Sequence, residues 1–167
     1  MTFFVRPNGS GFHFTLFLFF LRRSWKDSEG NSYFFGMTRS IRIAARGSWL
    51  ILWMGLIFFF SHQPGTGVNW EPPFWYVVER KSAHVFEYAV LTLLTFRFFW
   101  LVYLKETFGK VLILAAVFSL MYGATDELHQ FFIFGRGAHL QDVLVDVLGI
   151  AGMSFLLILL WRAKMRA

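Results

Sequence analysis

Four long apolar runs, separated by charged or helix-breaking residues, constrain this chain more than any other feature of its sequence. The first spans Ile41–Phe60 and the second Ala83–Tyr103. The third opens as Val111–Ala124 and extends to Phe132, and the fourth spans Asp142–Trp161. A helix of about 20 apolar residues is ~30 Å long, the thickness of a bilayer's hydrocarbon core, and it satisfies its own backbone hydrogen bonds there. Amphipathic helices of a soluble domain would interleave charges with apolar residues, whereas here the charges lie mostly between the runs. A mean hydropathy of +0.52, with 23 Phe and 7 Trp in 167 residues, agrees with that pattern. The expected fold is all-α: an integral membrane four-helix bundle, with the lipid bilayer as its first partner.

The formal net charge of +6 follows the runs and sets an expected topology. Arg39, Arg42 and Arg46 precede the first run, Lys105 and Lys110 separate the second from the third, and Arg162, Lys164 and Arg166 follow the fourth. All three clusters fall on one side, which the positive-inside rule assigns to the cytoplasm, so both ends of the core are expected there. Glu71, Glu79, Arg80 and Lys81 are expected in one outward loop. Asp126, Glu127, Arg136 and Asp142 are assigned to the other. The basic residues form no stripe interleaved with aromatics, so no nucleic-acid partner is expected. The absence of cysteine excludes disulfides, thiolate metal sites and cysteine nucleophiles.

Residues 1–36 read differently from the rest. Phe12–Leu21 is apolar but spans only about half of a ~30 Å core, and Arg22 and Arg23 follow it where a cleavage site would be needed. This stretch is either a poorly defined N-terminal extension or lies upstream of a true start at Met37. The membrane domain is expected over residues 37–167.

Depth arithmetic then locates the polar residues. Residues 111–124 cover only about 21 Å at 1.5 Å per residue, so Asp126, Glu127, His129 and Gln130 are expected within the outer half of the membrane. Val147–Trp161 is of similar length and brings Asp146 to a comparable level. Lys81, His84 and Tyr88 share a helix face by their spacing, as do Asp126, His129 and Gln130, and as do Asp142, Asp146 and Gly149. A carboxylate facing lipid costs on the order of a few kcal/mol, so the three stripes are expected to face one another around a polar pocket.

The stretches FSHQPG (Phe60–Gly65), KSAHVFEYAVL (Lys81–Leu91), YGATDELHQFFIFGR (Tyr122–Arg136) and DVLVDVLGIAG (Asp142–Gly152) resemble the VanZ-like family of membrane proteins, named for an accessory protein of low-level teicoplanin resistance. The resemblance covers most of Ile41–Trp161. Family patterns usually carry a small Ser where this chain has His62, and an Asn is common at the position of Asp146. The second departure adds a potential charge at the expected depth, so Asp146 is expected either to be protonated or to pair with a cation, for which Lys81 and Arg136 are the nearest candidates in kind. The resemblance implies a multi-pass protein of the bacterial cytoplasmic membrane that acts in the cell envelope. It assigns no reaction.

The ligand-binding candidates are therefore Lys81, His84, Glu87, Tyr88, Asp126, Glu127, His129, Gln130, Arg136, Asp142 and Asp146. In the first reading they line a pocket near the outer leaflet that binds a lipid-linked or glycopeptide-like molecule and modulates susceptibility to teicoplanin-like antibiotics. The alternative is a small membrane enzyme acting on an outer-leaflet head group, with Asp126, Glu127, His129 and His84 as catalytic candidates. There Lys81 and Arg136 would hold a phosphate or carboxylate, Asp126 would serve as base, and His129 or His84 would shuttle the proton. His84 and His129, with Glu87, Asp126 and Glu127, also place metal-ligand types one helical turn apart. A hydrogen-bonded ion-pair network that locks the helices is the preferred account of those residues, and no metal or other cofactor is assigned. Gly149 and Gly152 are expected to allow close helix approach, and Gly135 and Gly137 to form a turn. Arg97 is expected to snorkel to an aromatic belt near Trp100 and Tyr103.

Overall fold

The computed structural model describes residues 39–64, 73–135 and 140–166. Expectations for the N-terminal segment, Glu71, Arg136 and Gly137 fall outside these residues. The described chain forms four helices: α1 (Arg39–Ser61), α2 (Phe74–Val102), α3 (Phe108–Phe131) and α4 (Leu140–Arg166). Each is long and apolar enough to cross a membrane. Proline is absent from all four helices; Pro64 and Pro73 bracket the break between α1 and α2, Tyr103–Thr107 separates α2 from α3, and residues 132–139 separate α3 from α4.

The start of α2 corrects the sequence reading. Glu79, Arg80 and Lys81 lie within the helix instead of in a loop, because Pro73, extended at φ −62° and ψ 150°, serves as its N-cap. A proline pair cannot continue a helix backwards, but its fixed φ is well suited to opening one. Asp126, Glu127 and Asp142 are likewise helical, in α3 and α4. After α3, Gly135 at φ 74° occupies the left-handed region that glycine adopts without a Cβ penalty.

The central helix is α2, which packs along α1, α3 and α4, while α1 meets α3 over a short stretch only. The packed faces follow helical spacing: Ser119, Gly123, Asp126, Glu127 and Gln130 on α3, and Asp146, Gly149, Ile150, Met153 and Leu157 on α4. The opposite faces present Trp49, Ile51, Phe86, Ile113, Met121, Leu148 and Phe155. In a bilayer those side chains meet lipid, so their burial does not drive association. Van der Waals fit and interhelical hydrogen bonds do.

Two contact types hold the helices together. At one end, Arg46 Nη1 donates to the Arg97 carbonyl at 2.8 Å, and Arg39 Nη2 donates to the Leu101 and Val102 carbonyls at 3.3 and 3.2 Å. The Arg39 guanidinium supplies donors to carbonyls that the end of α2 leaves without helical partners, while Arg46 adds a second donor to a carbonyl inside the helix. Trp161 of α4 stacks on Phe108 at 4.7 Å and meets Trp100 edge-on at 5.8 Å, which pins the α2–α3 turn. Arg97, half-buried, keeps its Nε and Nη1 out of reach of solvent.

At the crossing of α2 and α4, Gly149 sits directly on the backbone of its neighbour. A Cβ there would overlap the Val85 carbonyl oxygen and stand 3.1 Å from the Ala89 nitrogen, whereas one at Gly152 would meet nothing within 4 Å. Close approach is thus required at Gly149 alone of the two, since Gly152 faces away from the crossing. Backbone atoms cannot rotate aside, so Gly149→Ala is expected to cost at least ~1–3 kcal/mol as overpacking. Thermal unfolding in detergent checks this: Gly149→Ala lowers the midpoint and Gly152→Ala leaves it in place.

Candidate functional site

Polar side chains collect on the packed faces of all four helices, in three groups. The first joins α2, α3 and α4. His84 Nδ1 lies 3.1 Å from Asp146 Oδ1. His84, Glu127 and Asp146 each bring one potential ligand atom to within 4.8 Å of the others. Asp146 is 1 % exposed and Glu127 4 %. Tyr88, fully buried, stands one turn below His84, and neither its hydroxyl nor Asp146 Oδ2 has a hydrogen-bond partner. Gly123 makes this convergence possible, because a Cβ there would lie 3.2 Å from both Asp146 Oδ2 and Tyr88 Cε1.

The second group joins α1 to α3. Ser61 Oγ donates to Asp126 Oδ2 at 2.7 Å, and Gln130 Nε2 donates to the same oxygen at 3.0 Å and to Ser61 Oγ at 3.3 Å. Beside them, His62 Nδ1 and His129 Nε2 are 3.1 Å apart, with their rings stacked at 5.3 Å and Phe58 against His129 at 4.5 Å. One turn further in, Tyr122 donates to the Met54 carbonyl at 2.7 Å. The third group is Lys81 with Asp142, at 3.2 Å and partly exposed.

Two cavities open beside the first group. One, of about 300 Å³, is bounded by Val77, Lys81, Gln141, Asp142 and Val145 between α2 and α4. The other, of about 370 Å³, is bounded by Phe60, Ser61, Gln63, Ala83 and Glu87 between α1 and α2. Tyr76, Arg80 and His84 line both. Arg80 has no carboxylate partner among the described residues.

The expected site residues are therefore divided. His84, Glu127 and Asp146 meet, with Tyr88 near them. Asp126 and Gln130 belong to the α1–α3 contact, and His129 pairs with His62 instead of with Asp126. The partner of Asp146 is His84; of the two cationic candidates, Lys81 has its ammonium held by Asp142 further out, and Arg136 falls outside the described residues. Glu87 borders the second cavity and its carbonyl accepts from Trp53 Nε1 at 3.0 Å. Ser61 and Arg80 were missed as site residues. Ser61 directly follows an apolar run, at the level arithmetic gives for Asp126, and that position was the available signal. The metal-ligand types noted from spacing do not all meet: His129 and Asp126 lie in the second group.

Ser61→Ala removes one donor to a buried carboxylate and the acceptor of Gln130. It is expected to cost ~1–3 kcal/mol, measured as a lower unfolding midpoint, while Ser82→Ala, on the exposed side of α2, stays near the parent value.

Comparison with known proteins places this arrangement. The VanZ/LLP1 family model matches residues 48–162, which takes in the packed faces of all four helices and every described residue of the three polar groups. No curated protein and no solved structure matches the chain. The chain belongs to the VanZ/LLP1 family of proteins.

Proposed function

We propose that this protein is a multi-pass component of a bacterial cytoplasmic membrane that binds the anionic head group of an envelope lipid, or a glycopeptide-like molecule, at the cavities beside α2. By occupying or presenting that ligand it modulates susceptibility to teicoplanin-like antibiotics. The observation that carries this reading is Arg80, a guanidinium lining both cavities without a carboxylate partner among the described residues. A guanidinium offers planar paired donors that suit phosphate or carboxylate, and Lys81 adds a second positive charge beside it. The exposed aromatic residues Phe74 and Trp75 at the start of α2 suit a membrane interface at that end.

Arg80→Gln is expected to reduce retention of co-purifying anionic lipid about tenfold, the loss of one charge-assisted hydrogen-bonded contact. Native mass spectrometry of the detergent-solubilised protein reads this directly. Arg162→Gln, at the other end of the bundle, serves as control, and equal retention in both variants contradicts the reading. Expression of the parent chain in a sensitive bacterium should raise the inhibitory concentration of teicoplanin, and Arg80→Gln should abolish that rise.

The proposed orientation, with the basic clusters in the cytoplasm, has its own test in the cysteine-free background. Single cysteines at Gln63 and Phe134 should react with an impermeant thiol reagent added to whole cells, and one at Glu106 should not. The reverse pattern inverts the topology.

An enzymatic reading finds support in one feature, the pairing of His84, which lines both cavities, with the buried carboxylate of Asp146. A carboxylate bound to one ring nitrogen orients the imidazole as a proton acceptor. Asp126 suits the role of base less well, because its Oδ2 is already engaged by Ser61 and Gln130. Under this reading His84→Gln restores the lipid composition of cells lacking the gene, whereas under the binding reading the composition does not depend on the gene at all.

A further inference from the structure

We propose that His84 of α2, Glu127 of α3 and Asp146 of α4 form a binding site for one divalent transition-metal ion of the zinc or manganese class. The proposal is independent of head-group binding by Arg80. Among the described residues, these three bring an imidazole nitrogen and two carboxylate oxygens to within 4.8 Å of one another, one from each of three helices. Ligand atoms around a tetrahedral ion with bonds of ~2.0–2.1 Å stand about 3.3 Å apart, a contraction that side-chain rotation can supply. One nitrogen with two oxygens is a donor set that zinc and manganese accept.

A second, independent observation points the same way. Asp146 is 1 % exposed and directs Oδ1 to His84, yet its Oδ2 has no hydrogen-bond partner. Oδ2 lies at the position kept clear by Gly123, alongside the ring of the fully buried Tyr88, whose hydroxyl is also without a partner. Buried polar atoms are paired as a rule, and a buried acceptor left unpaired marks a place where a cation or water belongs. Charge argues likewise. Two carboxylates this close in an apolar interior repel. A divalent ion offsets both and accepts the spare lone pairs.

The expected test uses the full chain purified in detergent and loaded with zinc or manganese chloride, followed by gel filtration and elemental analysis. About one ion per chain is expected, together with a rise in the unfolding midpoint that a chelator reverses. Asp146→Asn and Glu127→Gln, which conserve shape, should each lower the retained metal at least tenfold while eluting at the parent volume. His62→Ala should retain it, which separates this site from the exposed His62–His129 pair. Three outcomes overturn the proposal. One is retention below about a tenth of an ion per chain with either metal. Another is retention unaffected by Asp146→Asn and Glu127→Gln. The third is loss confined to His62→Ala. The first would leave the three residues as a hydrogen-bonded network. If either variant elutes as aggregate, loading the folded parent in the presence of competing chelator decides the matter by stoichiometry alone.

Discussion

A carboxylate among apolar helices must be answered by donors or cations from neighbouring helices, since lipid offers none. Asp126 and Asp146 impose that condition at two places, and the rotation of each helix about its axis follows from it. Asp126 turns α3 toward Ser61 of α1, and Asp146 turns α4 toward His84 of α2. With those faces fixed inward, the Phe- and Leu-rich faces are left for lipid without any further selection. Helix association therefore rests on a few interhelical hydrogen bonds and one backbone-to-backbone crossing, not on buried apolar area.

The crossing at Gly149 and the gap at Gly123 allow the polar groups to meet. Gly149 brings α4 against the Val85–Ala89 segment of α2, one residue from His84. Gly123 opens α3 at the level of Asp146 and Tyr88. A side chain at either position would separate the helices that carry His84, Glu127 and Asp146. The two glycines are thus positioning residues for the buried group, although neither contributes a polar side chain to it.

The fold was legible because its signal is one-dimensional: length and hydropathy alone define a helix able to cross a membrane. The stripes Lys81–His84–Tyr88 and Asp142–Asp146–Gly149 were legible for the same reason, since helical spacing determines them. Partner choice was not. Whether Asp146 meets Lys81 or His84 depends on where α4 crosses α2, and that crossing is set by a glycine whose partner is a backbone carbonyl with no sequence signature. Ser61 escaped notice because the SHQPG stretch reads as the end of a helix, while the residue itself is the last turn of α1 and buried. Arg80 and Lys81 were assigned to a loop because charged residues after a proline pair resemble one; the proline in fact starts the helix that carries them.

Among the four helices, α1 buries the least, with only Leu50, Ile57 and Ser61 inaccessible along its length. Its polar attachments nevertheless run along its length: Arg39 and Arg46 on carbonyls of α2, Trp53 on the Glu87 carbonyl and Tyr122 on the Met54 carbonyl near the middle, and Ser61 on Asp126 of α3. Arg46 and Ser61 are about 22 Å apart along the helix axis. A rod held at both ends to two different neighbours cannot slide along its axis without releasing both anchorages together. Its height in the bilayer is consequently locked to that of the bundle, and because Trp53 and Met54 tie its middle to α2 and α3, widening the cavity beside α2 would require breaking hydrogen bonds to two helices at once.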